Sequence, residues 1–171
     1  MAEKRSEGSV MTENIEREYM GWDALDDCTR SLVASMREQE WKPTLVVAVA
    51  RGDMAPAAAI SYAYDIKNVC MINIKYYDDE AGVGKRLVMP IVLPPIPTLD
   101  GLSDQRILIV DDVADTGETL VYARDFFATR RENIRIATCY YKPWSICVPD
   151  FYWKTTEKWI MFPWSSYTET K

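Results

Sequence analysis

An α/β fold with a doubly wound, mostly parallel sheet is what the 171 residues predict, on three observations. Four apolar runs rich in valine and isoleucine recur along the chain, each strand-length and unbroken, as strands buried on both faces require. Helix-length segments with apolar residues three or four apart separate them. The carboxylate- and glycine-bearing stretches follow those runs directly, where a parallel sheet places its ligand-bearing loops. Residues 1–171 fit one domain, long enough to bury roughly 70% of its unfolded surface.

In chain order, residues 1–10 are polar and aperiodic, which predicts a frayed terminus. "WDALDDCTRSLVASMREQE" (22–40) has Leu25, Cys28, Leu32 and Met36 on one helical stripe. "TLVVAVA" (44–50) is the first central strand, and "MAPAAAISYAY" (54–64) a helix whose alanines permit close packing on a sheet. "NVCMINIKY" (68–76) is the second buried strand. "KYYDDEAGVGKRLVMP" (75–90) is a strand, a glycine-containing turn and a returning strand. "RILIVDD" (106–112) is the third central strand, ending at Val110, and "GETLVYARDFFATRR" (117–131) a helix with Leu120, Arg124 and Phe127 on successive turns. "IRIATCYYK" (134–142) is the fourth. Trp144, Trp153 and Trp164 of the tail are expected in ordinary core packing.

Composition removes several classes of function. Apolar residues make up 48% and charged residues 27%, the balance of a soluble globular domain. The longest uncharged stretch, Leu87 to Leu99, holds four prolines and is too short to span a bilayer. No basic start is followed by an apolar run, so neither a signal peptide nor a membrane partner is expected. The four cysteines show no C-x-x-C spacing and there is no histidine, which argues against a zinc site or disulfide framework and for a reducing cytoplasm. Histidine catalysis is excluded. A net charge of −6 without a basic cluster argues against nucleic acid as partner.

The informative stretch is "RILIVDDVADTGETL" (106–120). Folding alone gives no reason to crowd Asp111, Asp112 and Asp115, because like charges repel. Thr116, Gly117 and Thr119 lie where a helix begins, and there free amides, hydroxyls and the helix dipole hold a phosphate. The preceding carboxylates accept hydrogen bonds from vicinal hydroxyls or sit near a metal ion. Together the two halves fit a sugar phosphate.

"ILIVDDVADTGETL" resembles the phosphoribosyl diphosphate (PRPP) loop of type I phosphoribosyltransferases, closely at every motif position. The resemblance extends over residues 20–166 and is closest to the purine salvage branch, the hypoxanthine/xanthine-guanine type. It implies a sheet of the type I phosphoribosyltransferase kind, a flexible hood hairpin over 75–90 and a small C-terminal base-recognition segment. Asp111 and Asp112 would contact the ribose hydroxyls and Mg²⁺, directly or through water. Asp115, Thr116, Gly117, Glu118 and Thr119 would wrap the 5′-phosphate. "AVARGDMAP" resembles the family's diphosphate loop, so Ala50, Arg51 and Gly52 would hold the diphosphate, with a cis bond at Ala50–Arg51. Asp53 departs from the pattern, because that position is often a second glycine. Tyr76 and Tyr77 would shield the reaction from water as part of the hood, with Gly82 and Gly84 giving it freedom.

"YYKPWS" and "EKWIMFPWSS" resemble the base-recognition segments. Lys142 would donate to the purine 6-oxo group, Trp159 would stack on the base, and the Ile160 main chain would read the 2-position. A buried lysine donor disfavours adenine, whose amino group leaves it unpaired. The implied reaction transfers the 5-phosphoribosyl group from PRPP to N9 of guanine, hypoxanthine or xanthine, with Mg²⁺ as cofactor. Asp115 is the candidate catalytic carboxylate, managing the proton at N7. Relatives often carry an acid after the final Pro-Trp, where this chain has Ser165 and Ser166. The family also implies a homodimer or larger homo-oligomer. A PRPP- or nucleotide-sensing regulator and a pyrimidine or orotate phosphoribosyltransferase are the alternatives.

Overall fold

The computed structural model describes residues 16–78, 85–94, 97, 104–127 and 133–167, with backbone alone for 76–78, 85–89 and 166–167. The elements run β1 (Arg17–Tyr19), α1 (Trp22–Glu38), β2 (Leu45–Val49), α2 (Met54–Ala63), β3 (Val69–Asp78) and β4 (Lys85–Leu93). They continue with β5 (Ile107–Ala114), α3 (Glu118–Phe126), β6 (Ile134–Tyr141), β7 (Phe151–Thr155), β8 (Trp159–Met161) and a 3-10 turn, Pro163–Tyr167. Six strands form one sheet in the order β4-β3-β2-β5-β6-β7. Every pairing in it is parallel except β3 with β4.

The unbroken apolar runs have a direct physical cause. On β2, Val46 and Ala48 pack into one core cluster with α1 and α2, while Leu45, Val47 and Val49 pack into a second with α3. Leu108 and Val110 of β5 join the first cluster, Ile107 and Ile109 the second. Period-two alternation thus serves two cores, and both faces must be apolar. On α1 the predicted stripe Leu25, Cys28, Leu32 and Met36 is buried, widened by Thr29 and Val33. Among the described residues no helix is long and apolar enough to cross a membrane.

Three expectations change. β5 does not end at Val110. Pairing with β6 continues through Asp111↔Thr138, Val113↔Tyr140 and Ala114↔Tyr141, so the paired acids sit on the strand's last turns of pleat. β3 is not buried on both faces. Ile72 is buried, but Val69 and Met71 are exposed, because α2 packs over β2 and β5 instead. Third, β1 and β8 pair in parallel as a separate two-stranded sheet that the sequence did not announce. At three residues each, they carry too little pattern to read.

The chain leaves β2 through α2 towards β3 on one side, and leaves β5 through α3 towards β6 on the other. The strand order reverses between β2 and β5, which opens a crevice at their carboxyl ends. The predicted hood corresponds to β3 and β4, paired at Tyr77↔Arg86 and Asp78↔Lys85 with a register shift after Lys75. Its turn, with Gly82 and Gly84, lies outside the described residues, as do residues 1–10 and the side chains of Tyr76, Tyr77 and Ser166.

Candidate active site

At the end of β5, Asp111 and Asp112 meet Asp53 from the loop after β2. One carboxylate oxygen from each lies within 4.8 Å of the others. The Asp112 N–H donates to Asp53 Oδ1 at 2.6 Å and to Asp111 Oδ1 at 2.8 Å. Three carboxyl groups crowded this far from water resist ionisation together. Burial is the main cause for each. It lifts Asp53 well above the usual carboxylate range, helped by the charges of Asp111 and Asp112. Asp111 is raised to about 6, against the opposing effect of its hydrogen bond to Asp53. Asp112 is raised to about 7, with the Asp111 charge adding and the Trp164 indole opposing.

The loop that carries Asp53 begins with a cis peptide at Ala50–Arg51, as the resemblance implies. Gly52 is required by proximity: a Cβ there would run into the Asp112 carboxylate and come 3.0 Å from Trp164 Nε1. Arg51, two residues before Asp53, is exposed. The loop after β2 and the end of β5 therefore meet in the crevice, and both contribute carboxyl groups.

Beyond Ala114 the chain turns through Asp115 and Thr116 to Gly117, which caps α3 with φ of 83°. No L-residue adopts that angle without strain, and a Cβ would also meet Cys147 N at 2.6 Å. The Thr116 carbonyl accepts from the Ile146 N–H at 2.9 Å, which ties this turn to the segment after β6. The Glu118 N–H faces Thr116 Oγ1 at 3.5 Å, and the positive end of the α3 dipole makes the Thr116 to Thr119 turn suited to an anion.

Beside this turn lies a cavity of about 210 Å³ lined by Val113, Asp115, Lys142, Trp144, Glu157, Trp159, Ile160 and Phe162. Lys142 is buried, donates through Nζ to the Lys158 carbonyl, and lies 5.4 Å from the centre of the Trp144 ring. Burial lowers its pKa, opposed by Asp115, Glu18 and Glu157. Trp159 is 58% exposed, so its ring is free to meet a planar ligand, while Ile160, next along β8, is buried. The β1–β8 pair fixes this wall, with the Trp159 N–H donating to the Glu16 carbonyl at 2.9 Å.

The chain is similar in sequence and fold to known proteins. The family model described as phosphoribosyl transferase domain matches residues 21–169. The chain belongs to the phosphoribosyltransferase family. A xanthine-guanine phosphoribosyltransferase of Ruegeria sp. (strain TM1040) is 31% identical over 154 residues, covering 85% of this chain and 84% of the relative. A second protein of that name, from Idiomarina loihiensis, is 29% identical over 152 residues, with 87% of each chain covered. The crystal structure of a purine phosphoribosyltransferase from Pyrococcus horikoshii Ot3 superposes with a TM-score of 0.75 at 34% identity, covering 92% of this chain and 99% of that one.

Within this phosphoribosyltransferase fold, Asp111 and Asp112 meet Asp53, Arg51 and the Thr116–Thr119 turn follow the ends of β2 and β5, and Asp115, Lys142, Trp159 and Ile160 line one adjoining cavity. Other residues are added by the structure. Trp144 is not core: it is 52% exposed, lines the cavity and donates through Nε1 to Asp115 Oδ1 at 3.0 Å. It lies three residues past the end of β6, outside both core clusters. Trp153 and Trp164 do pack against the core, Trp164 stacked on Phe162 at 4.9 Å. Asp53 joins the acidic pair although 58 residues of sequence separate it from Asp111, a proximity only the β2–β5 pairing creates. Glu157 and Phe162 enter the cavity on either side of Trp159.

Proposed function

We propose that this chain is a purine salvage phosphoribosyltransferase that transfers the 5-phosphoribosyl group from PRPP to N9 of a 6-oxopurine. Guanine, hypoxanthine and xanthine are the candidate bases, and the products are the nucleoside monophosphate and diphosphate. The observation that carries the reading is the cavity in which Lys142, Trp159 and Ile160 come together with Asp115. A cation at the edge of a slot walled by an indole matches a planar base with a 6-oxo acceptor. The names of the relatives point to the same substrate class.

In this reading the 5′-phosphate of PRPP occupies the Asp115–Thr119 turn, where amides and the α3 dipole favour negative charge. Its ribose hydroxyls donate to Asp111 and Asp112, and its diphosphate lies along Ala50, Arg51 and Gly52. Lys142 donates to O6, Trp159 stacks on the ring, and the Ile160 main chain meets the 2-position. N9 supplies an electron pair to C1′ as the C1′–O bond breaks and its pair leaves with the diphosphate. Positive charge developing on the ribose is stabilised by the carboxylates beneath it. Asp115 accepts the proton at N7, and the Trp144 indole holds it in place.

The close oxygen donors of Asp53, Asp111 and Asp112 fit a hard divalent cation. Mg²⁺ would be held by Asp111 and Asp112, directly or through water or PRPP hydroxyls, and when bound it neutralises charge on the leaving diphosphate. Tyr76 and Tyr77 belong to the hood that closes over the base. The reading includes a homodimer or larger homo-oligomer in the cytoplasm, the location being supported by four free thiols. The test is diphosphate release from PRPP and Mg²⁺ with guanine, hypoxanthine, xanthine, adenine, orotate and uracil in separate reactions. Turnover confined to 6-oxopurines is expected. Turnover with orotate or uracil alone, or with no base, overturns the reading.

A further inference from the structure

We infer that Asp53 is a positioning residue that locks the acidic pair of β5 to the loop after β2. The inference rests on the phosphoribosyl-transfer reading above for what the two loops bind, and on geometry for the lock itself.

Asp53 occupies the N-cap position of α2, where an aspartate ordinarily accepts from the next turn's free amides. It makes no such bond. Its carboxyl group, 3% exposed, instead turns into the crevice and accepts the Asp112 N–H at 2.6 Å, across 59 positions of sequence. The Asp111 carboxyl group stands next to it, with one oxygen of each within 4.8 Å of the other. Only the backbone of Asp53 serves the helix, its carbonyl accepting from the Ala57 N–H at 3.0 Å. The residue before it, Gly52, has no room for a Cβ because Asp112 presses against it. Two contacts in succession thus join the loop carrying Arg51 to the strand end carrying Asp111 and Asp112. One contact fixes distance, through the missing side chain of Gly52. The other fixes orientation, through the Asp53 carboxyl group. A glycine at position 53 would supply the first kind of freedom and none of the second.

If ribose and diphosphate bind on opposite sides of this lock, loosening it misaligns the two ends of PRPP and leaves the base cavity alone. Asp53→Ala removes the acceptor, while Asp53→Asn keeps an acceptor for the Asp112 amide and a donor for Asp111. The expected result is a KM for PRPP raised about tenfold or more in Asp53→Ala, with the KM for the base within about twofold of the parent. Asp53→Asn should restore the PRPP KM to within about threefold. A folded Asp53→Asn protein with the PRPP KM raised as far as in Asp53→Ala overturns the inference, because charge and not the hydrogen bond would then matter. So does an Asp53→Ala protein whose two KM values rise together. Should Asp53→Ala fail to fold, the Asp53→Asn result decides alone. The Asp112 amide proton resonance, read by NMR without substrate, tests the lock separately from turnover. A downfield position shared by parent and Asp53→Asn and lost in Asp53→Ala supports it, and an unmoved resonance in Asp53→Ala overturns it. A parent protein silent with every base would instead sink the phosphoribosyl-transfer reading, leaving the amide resonance as the measure of Asp53.

Discussion

In the proposed reading, Lys142 is the side chain with the greatest consequence for substrate choice. It is buried, its Nζ is fixed by the Lys158 carbonyl, and its charge is partly balanced by Asp115 and Glu157. Lys142→Met keeps the bulk and removes the donor. A hydrogen bond from a charged group contributes about 1.5–3 kcal/mol, so kcat/KM for guanine or hypoxanthine should fall between about tenfold and a hundredfold. Adenine should lose little, and the ratio of the two rates is the decisive measurement. Asp115 and Trp144 form the second residue-scale test. Asp115→Asn should lower kcat by roughly 10²–10³ with an unchanged Tm, since the side chain is exposed and its removal opens no core. Trp144→Phe preserves an aromatic wall and deletes the N–H that donates to Asp115 at 3.0 Å. A smaller fall in kcat, about threefold to tenfold, is expected from that loss of one hydrogen bond. A Trp144→Phe enzyme with parental kcat would show that the indole serves only as a wall. The family resemblance marked Lys142 and Asp115, because each sits in a motif whose neighbours are specified. Trp144 carried no such mark, since a tryptophan's role depends on what lies opposite it.

At the scale of single elements, the end of β5 and the start of α3 concentrate conflicting demands. The strand must finish apolar and paired for the sheet, yet presents carboxyl groups to the crevice. Burial, with repulsion from Asp111 added at Asp112, places the Asp111 and Asp112 pKa values at about 6 and about 7, both above the unfolded range. Such groups bind more protons folded than unfolded, so they favour the folded state at low pH. That contribution is lost as pH rises from about 4 through about 7. In EDTA the Tm should therefore decline across this window. Asp112→Asn should flatten the decline and be more stable than the parent at pH 8 by on the order of 1 kcal/mol, or about 2–4 °C. Calorimetry at pH 5 and pH 8 checks the sign. Equal slopes for both proteins would mean that the acids are already neutralised by contacts other than their own protons. Gly117 is the opposite case, a residue whose absence of side chain is structural. Gly117→Ala places a Cβ at φ of 83° and within 2.6 Å of Cys147 N. A loss of about 2 kcal/mol or more is expected, together with weaker PRPP binding if the turn that must shift holds the 5′-phosphate as proposed.

For the whole molecule, the sheet was the most legible part, and the reason is physical. Each central strand serves two cores, so its pattern is continuous and hard to mistake, as Leu45–Val49 and Ile107–Val110 show. The edges were less legible. Val69 and Met71 on β3 read as buried because apolar letters do not say whether a helix will cover them. The β1–β8 pair joins segments some 140 positions apart through three residues each, a contact set by tertiary packing alone. Likewise, Asp53 could be read only as a displaced glycine until β2 and β5 were placed side by side. What sequence could not supply was the meeting of distant loops, and the ligand is the agent that should tighten that meeting. PRPP would bridge the Arg51 loop and the Thr116–Thr119 cradle, both absent as a pair from the unfolded chain. Any ligand that binds only the folded state stabilises it by mass action, about 2.7 kcal/mol at a hundred times its Kd. For a chain of this length that corresponds to a Tm rise of about 5–10 °C with saturating PRPP and Mg²⁺. Ribose 5-phosphate, which reaches the cradle but not the diphosphate loop, should give a smaller rise at equal concentration. If the two ligands gave the same shift, the diphosphate loop would contribute nothing to binding, and the crevice would have to be read as a sugar-phosphate site alone.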